Sequence, residues 1–215
     1  VSAMISESYV RASDASKPWV MSAMGEGEPA ANIANVLGAF SRIRREPGIK
    51  LALSTSAPSR AILLRALEAL GKFEAGHGRS VKLQYSLHSA IREERERMFR
   101  AIHMPPQDAL GFIRGSGYGN VEINITLIEG WNDGRDSALA IGKVLREGGP
   151  WHVKLNRFNA MEGQPLANAP MEAYERIGDI LRSEGHEVEY YETDGNDISA
   201  AGGQLHFRHA AGMTP

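Results

Sequence analysis

Hydrophobic and polar positions along this chain alternate between two rhythms. A short apolar run, Trp19–Met24, stops at Gly25-Glu26-Gly27-Glu28-Pro29, and from about Asn32 the apolar residues Ile33, Val36, Leu37, Phe40 and Ile43 recur at helical spacing. This predicts a buried strand, a glycine-opened loop and an amphipathic helix that ends by Pro47-Gly48. The unit then repeats. A strand over Ile49–Thr55 runs into Ser54-Thr55-Ser56-Ala57-Pro58, and a helix from about Ser59 carries Ile62, Leu63, Ala66, Leu67 and Leu70. A loop over Ala75–Ser80 leads to a third strand, Val81–Leu87, which ends in Ser86-Leu87-His88-Ser89. Pro105-Pro106 open a helix over Gln107–Ile113, and the glycine-rich Gly115–Asn120 precedes a strand, so it reads as a linker and not a phosphate loop. Further strands are predicted at Val121–Ile128, Trp151–Leu155 and His186–Tyr191, with helices at Arg135–Arg146 and Met171–Glu184. Residues 2–16 carry only a loose helical spacing, and the glycine-rich tail Thr193–Leu205 is expected to pack back on the domain.

Strict strand–loop–helix alternation over five or six units argues for a parallel sheet or barrel in a single domain. Right-handed crossovers put every strand-to-helix loop on one face. Glu28, Ser54, Ser86, His88, Asn132, Asp133 and Asn159 should therefore converge there, the face where such folds bind ligands. For each residue a plainer role exists: Glu28 as a solvated loop carboxylate, Ser54 and Ser86 as turn residues.

Charge narrows the function classes. A formal net charge of −2 gives no electrostatic case for nucleic acid, though a local basic patch is not excluded. The densest charge run, Arg92–Arg100, alternates in sign and reads as a solvated helix with i,i+4 pairs; Arg42, Arg44 and Arg45 read as a helix C-terminus complementing the dipole. No apolar run approaches the roughly 18–20 residues of a membrane span and no signal-peptide pattern opens the chain, so a soluble, cytoplasmic protein is expected. His206 and His209 lack a third ligand candidate nearby for a metal site. Above all, the 215 residues contain no cysteine, which removes disulfides and thiolate-held clusters.

In order, these strand ends resemble the radical-SAM ribosomal RNA (adenine-C2) methyltransferases. Gly25-Glu26-Gly27-Glu28-Pro29 is similar to the family's GMGEP, Ser54-Thr55-Ser56-Ala57 to its STSG, Ser86-Leu87-His88-Ser89 to its SLHA, and Gly130-Trp131-Asn132-Asp133 to its GVND. Asn156–Asn159 and the closing Gly195–Leu205 resemble two further motifs, so the likeness spans roughly residues 19–205. It implies a partial parallel (β/α) barrel of the radical-SAM type with about six strands, leaving open whether the family's first strand lies upstream. It also implies S-adenosylmethionine as cofactor, with Gly27 and Glu28 at its amino group, Ser54, Ser86, Leu87 and His88 at its carboxylate and ribose, and Asn159 at the ribose. RNA is the implied partner.

Two departures qualify this. The family's cluster-binding CxxxCxxC loop would lie before Val1, so an iron–sulfur cluster is expected only if a parent protein carries it; the initial Val in place of Met suggests that residues precede it. Gly202 stands where the resemblance places a methyl-carrying cysteine, inside the chain. The chain alone is therefore expected to be inactive as a methyltransferase. Three readings remain: the C-terminal portion of a radical-SAM enzyme, a degenerate module that binds S-adenosylmethionine or a nucleotide or scaffolds a partner, and an unrelated barrel using Glu28, His88 or Asp133 for acid–base work.

Overall fold

The computed structural model describes residues 19–24, 27–43, 48–99, 103–160 and 165–191. The segment 2–16, Gly25, Glu26, the tail from 193 and with it Gly202, His206 and His209 lie outside the described residues. Among the described residues six strands form one sheet: β1 (Trp19–Ala23), β2 (Ile49–Thr55), β3 (Val81–Ser86), β4 (Val121–Leu127), β5 (His152–Arg157) and β6 (Glu187–Tyr191). Their spatial order is their chain order, and every neighbouring pair is parallel. Such an order, with crossovers of one hand, winds the helices onto one face and curves the sheet towards a barrel. Among the described residues the sheet does not close, and β1 and β6 are its edges.

Strand alternation explains what each face does. One set of positions, including Leu51, Leu53, Leu83, Tyr85, Ile123, Ile125, Leu127, Val153 and Leu155, is buried against the helices. The intervening positions are largely polar: Lys50, Ser54, Lys82, Gln84, Ser86, Asn124, Thr126, Lys154 and Asn156 line the opposite, concave face. Barrel interiors are usually filled with branched apolar side chains. This one carries polar side chains among its apolar ones.

Among the described residues six α-helices cover the outer face: α1 (Ile33–Phe40), α2 (Arg60–His77), α3 (Arg92–Met98), α4 (Pro106–Gly115), α5 (Arg135–Arg146) and α6 (Met171–Ser183). A 3-10 turn at Pro29–Asn32 precedes α1, with Pro29 in its first turn, where its fixed φ and missing N–H cost nothing. Helix α1 stops at Phe40, short of the expected Ile43. Helix α2 runs to His77 and takes up half of the expected loop. It starts on Ser59, whose hydroxyl accepts from the Ile62 N–H at 3.3 Å, and ends only at Gly78, which takes a left-handed φ of 57°.

The charge run needs a correction. Arg92 and Glu96 do form an exposed i,i+4 pair at 2.7 Å. Arg95, however, is buried, donates from Nη1 to the Leu87 carbonyl, and lies 4.9 Å from the Phe99 ring centroid. Glu94 accepts from Ser89 Oγ at 2.5 Å and Ser137 Oγ at 2.6 Å. One face of α3 thus fastens the end of β3 to α5, a role that charge alternation alone does not reveal.

Candidate functional site

The strand C-terminal ends open into a cavity of about 760 Å³, within the range of ligand pockets. Of the residues expected to converge, Ser54, Ser86, His88 and Asn159 line it. These come from the ends of β2, β3 and β5 and the loops after them. Gln84 organises its wall: its Oε1 accepts from Ser54 Oγ at 3.2 Å and Ser22 Oγ at 3.5 Å, while its Nε2 donates to Glu122 Oε1 at 2.7 Å. Beside it Asn124, only 7% exposed, holds its Oδ1 without a partner among the described residues. A buried amide oxygen left so costs about 1–3 kcal/mol, and a ligand donor would relieve it.

His88 reaches its place through an unusual backbone. Its φ is +54°, the left-handed region, and Asn132 helps to hold it there. Asn132 is fully buried; its Nδ2 donates to the carbonyls of His88 at 2.7 Å and Thr126 at 2.8 Å, and its Oδ1 accepts from the Ile128 N–H at 2.8 Å. The imidazole Nδ1 of His88 accepts from the Thr126 N–H at 3.0 Å. Burial, assisted by the Arg95 charge, lowers its pKa to about 4, so the ring is neutral at pH 7.

Other expected site residues have contacts of their own outside the cavity lining. Glu28 is absent from the cavity lining. Its Oε1 accepts from the Ala30 N–H at 3.1 Å and its Oε2 from the Ser56 N–H at 3.0 Å and the Ser56 hydroxyl at 2.7 Å. His103 Nε2 lies 3.0 Å from the same hydroxyl. Gly27, at φ +74°, lets the chain turn into this arrangement. Leu87 is fully buried, with its N–H bonded to the Asn124 carbonyl at 3.0 Å. Asp133 accepts from the Gly130 N–H at 3.0 Å on the exposed loop. Ala57, where the resemblance places glycine, is held at φ +53°, a conformation that favours that glycine.

Sequence reasoning passed over Gln84, Asn124, Thr126 and Lys154. Their signal was present: polar residues at alternate positions inside apolar strands, VKLQYS, VEINITL and HVKLNR.

No protein-family model matches the chain. Two curated sequences from strains of Thermus thermophilus, each described as a probable dual-specificity RNA methyltransferase RlmN, are 30% identical to it over 191 residues. The matches cover 85% of this chain and 51% of each relative, so the chain spans about half the length of the curated relatives it matches. Among solved structures, a radical SAM methyltransferase from Sphaerobacter thermophilus superposes with a TM-score of 0.71 at 26% identity, covering 94% of this chain and 59% of that one. A domain of a pyruvate-formate lyase-activating enzyme from Bacteroides vulgatus reaches 0.59 at 14% identity, over 80% of this chain and 98% of that one, a likeness of fold alone. Fold and cavity thus define an open (β/α) barrel of the radical-SAM type. The chain is a homologue of the radical-SAM RNA methyltransferases, matching about half of their length.

Proposed function

We propose that the cavity at the strand ends binds S-adenosylmethionine, and that the chain is the barrel portion of a radical-SAM-type protein acting on RNA. The observation that carries this reading is the meeting of Ser54, Ser86, His88 and Asn159, from three separate motifs, around one cavity. The residues present fit the cofactor in kind. Serine hydroxyls and asparagine amides suit its carboxylate and ribose, and the unpartnered Asn124 Oδ1 offers an acceptor to a hydroxyl or amine. Gly27 and Glu28 complete the reading at the amino group. Glu28 Oε2 already receives two donors from Ser56, so what it offers an ammonium is the remaining lone pair of Oε1.

The residues present do not fit an iron–sulfur cluster, because the chain has no cysteine to ligate one. Nor can Gly202 carry a methyl group. On these residues alone the chain binds, orients and shields the cofactor, and reductive chemistry depends on ligands from elsewhere in a longer protein. RNA enters as substrate class through the homologues' description.

Calorimetry with S-adenosylmethionine and with adenosine tests the reading. Without a cluster to chelate the methionine end, affinity should fall in the high micromolar to millimolar range, on the order of −4 to −6 kcal/mol. Ser86→Ala and Asn159→Ala should each weaken it several-fold. If neither ligand binds at millimolar concentration the cofactor reading fails, and a scaffold role takes its place.

A further inference from the structure

A second polar cluster lies at the N-terminal ends of β4–β6, away from the motif residues. Glu122, His152 and Glu187 stand opposite one another in register across these three strands, and Glu189 follows two residues later on the same face of β6. His152 Nε2 is 3.5 Å from Glu122 Oε2 and 3.3 Å from Glu189 Oε2. The three ligand atoms all lie within 4.8 Å of one another. We propose that Glu122, His152 and Glu189 form a binding site for a late first-row divalent cation such as Zn²⁺.

Distance is the first argument. Good hydrogen bonds from a ring nitrogen run about 2.7–3.2 Å. The two separations here are longer, and they match the edge of about 3.4 Å of a tetrahedron with metal–ligand bonds of about 2.0–2.2 Å. The second argument is the other side of the imidazole. His152 Nδ1 lies 3.3 Å from Glu187 Oε2. Glu187 thus stands where the outer carboxylate partner of a metal-bound histidine stands, and Nε2 faces the two remaining carboxylates. Rigidity is the third. Glu122 is 1% exposed and its Oε1 is fixed by Gln84 at 2.7 Å, so that ligand is already positioned.

Two lysines compete as cations: Lys82, with its Nζ 2.7 Å from Glu122 Oε2, and Lys154, whose charge also acts on Glu122. That oxygen has two lone pairs and can serve both Lys82 and a metal. The Lys82 side chain, 37% exposed, also has room to swing outward. One nitrogen with two carboxylate oxygens suits zinc or its neighbours better than magnesium or calcium, which prefer all-oxygen shells.

The test titrates the full chain with Co²⁺ as an optical stand-in for zinc. The expected result is saturation at one equivalent, with the intense d–d bands of four-coordinate cobalt, reversed by Zn²⁺. His152→Ala should abolish the bands, and Glu187→Gln, which leaves all three ligands in place, should weaken binding by about 10- to 100-fold. Lys82→Gln should tighten it. Glu189→Gln alters a side chain that is 50% exposed, so it keeps the test valid should His152→Ala fail to fold. Weak, unsaturating six-coordinate spectra would overturn the proposal, leaving His152 as an ion-pair centre. So would equal binding by the parent, His152→Ala and Glu189→Gln.

Discussion

Glu28 and Ser56, one after β1 and the other after β2, are joined twice: a single carboxylate oxygen of Glu28 accepts both the backbone N–H and the hydroxyl of Ser56, at 3.0 and 2.7 Å. The other oxygen caps the turn at Pro29–Asn32. One side chain therefore sets the relative position of two strand-end loops.

Removing it should tell twice. Glu28→Ala is expected to lower unfolding stability by about 1–2 kcal/mol, from a lost cap and charge-assisted hydrogen bonds, and to weaken S-adenosylmethionine by about 10- to 100-fold. Glu26→Ala should change neither. Urea unfolding alongside calorimetry separates the effects; lost stability with unchanged affinity would make Glu28 a loop tie and nothing more.

Asn132 should prove the costlier residue. Its amide satisfies one N–H and two carbonyls at the ends of β3 and β4. Asn132→Ala is expected to cost about 2–4 kcal/mol, since each buried group left unpaired costs about 1–3 kcal/mol, partly recovered if water enters. Asn132→Asp should be no better, because a carboxylate would face two carbonyl oxygens. Denaturant midpoints at constant m-value measure both.

Acidification should act through His88. Its folded pKa of about 4 is below the ordinary 6.5, so folding favours the neutral ring. That contribution is complete above pH 6.5 and is lost as pH falls from 6.5 towards 4, because the unfolded chain takes up the proton first. Protonation also costs Nδ1 its bond from the Thr126 N–H. His186, which burial likewise pushes down, adds in the same direction. The slope should approach about 1 kcal/mol per pH unit for His88, and His88→Gln should flatten it in pH-dependent unfolding. An unchanged slope would sink the assignment.

Open edges carry an association risk. The outer edge of β1 has no strand partner among the described residues, and on its cavity face Val20 and Met24 are each 57% exposed. We expect concentration-dependent association through this edge, visible by light scattering and reduced by Val20→Lys. A clean monomer at all concentrations would contradict this.

Anaerobic reconstitution with iron and sulfide should leave the chain colourless and unable to release 5′-deoxyadenosine, since cluster ligation normally requires thiolates. Stoichiometric iron with a visible charge-transfer band would contradict this.

Much of this protein was settled by sequence alone. Apolar runs separated by helical periodicities were enough for a parallel sheet or barrel of five or six units with its strand-to-helix loops on one face, because a strand–helix–strand crossover has essentially one hand; the partial barrel of about six strands came with the family resemblance. The ordered motifs at the strand ends located the cavity for the same reason: loops after parallel strands share a face. What only the tertiary structure decided is which partner each polar side chain meets. Glu28 meets Ser56 through one carboxylate oxygen, a contact set by the approach of two loops 28 residues apart in sequence. Arg95 looks solvated in a charge run, yet packing against β3 buries it beneath the Leu87 carbonyl. The Glu122, His152 and Glu189 cluster is spread over 67 residues and comes together only through the register of β4, β5 and β6. Periodicity assigns a residue to a face; register, which depends on the packing of the whole sheet, assigns its neighbours.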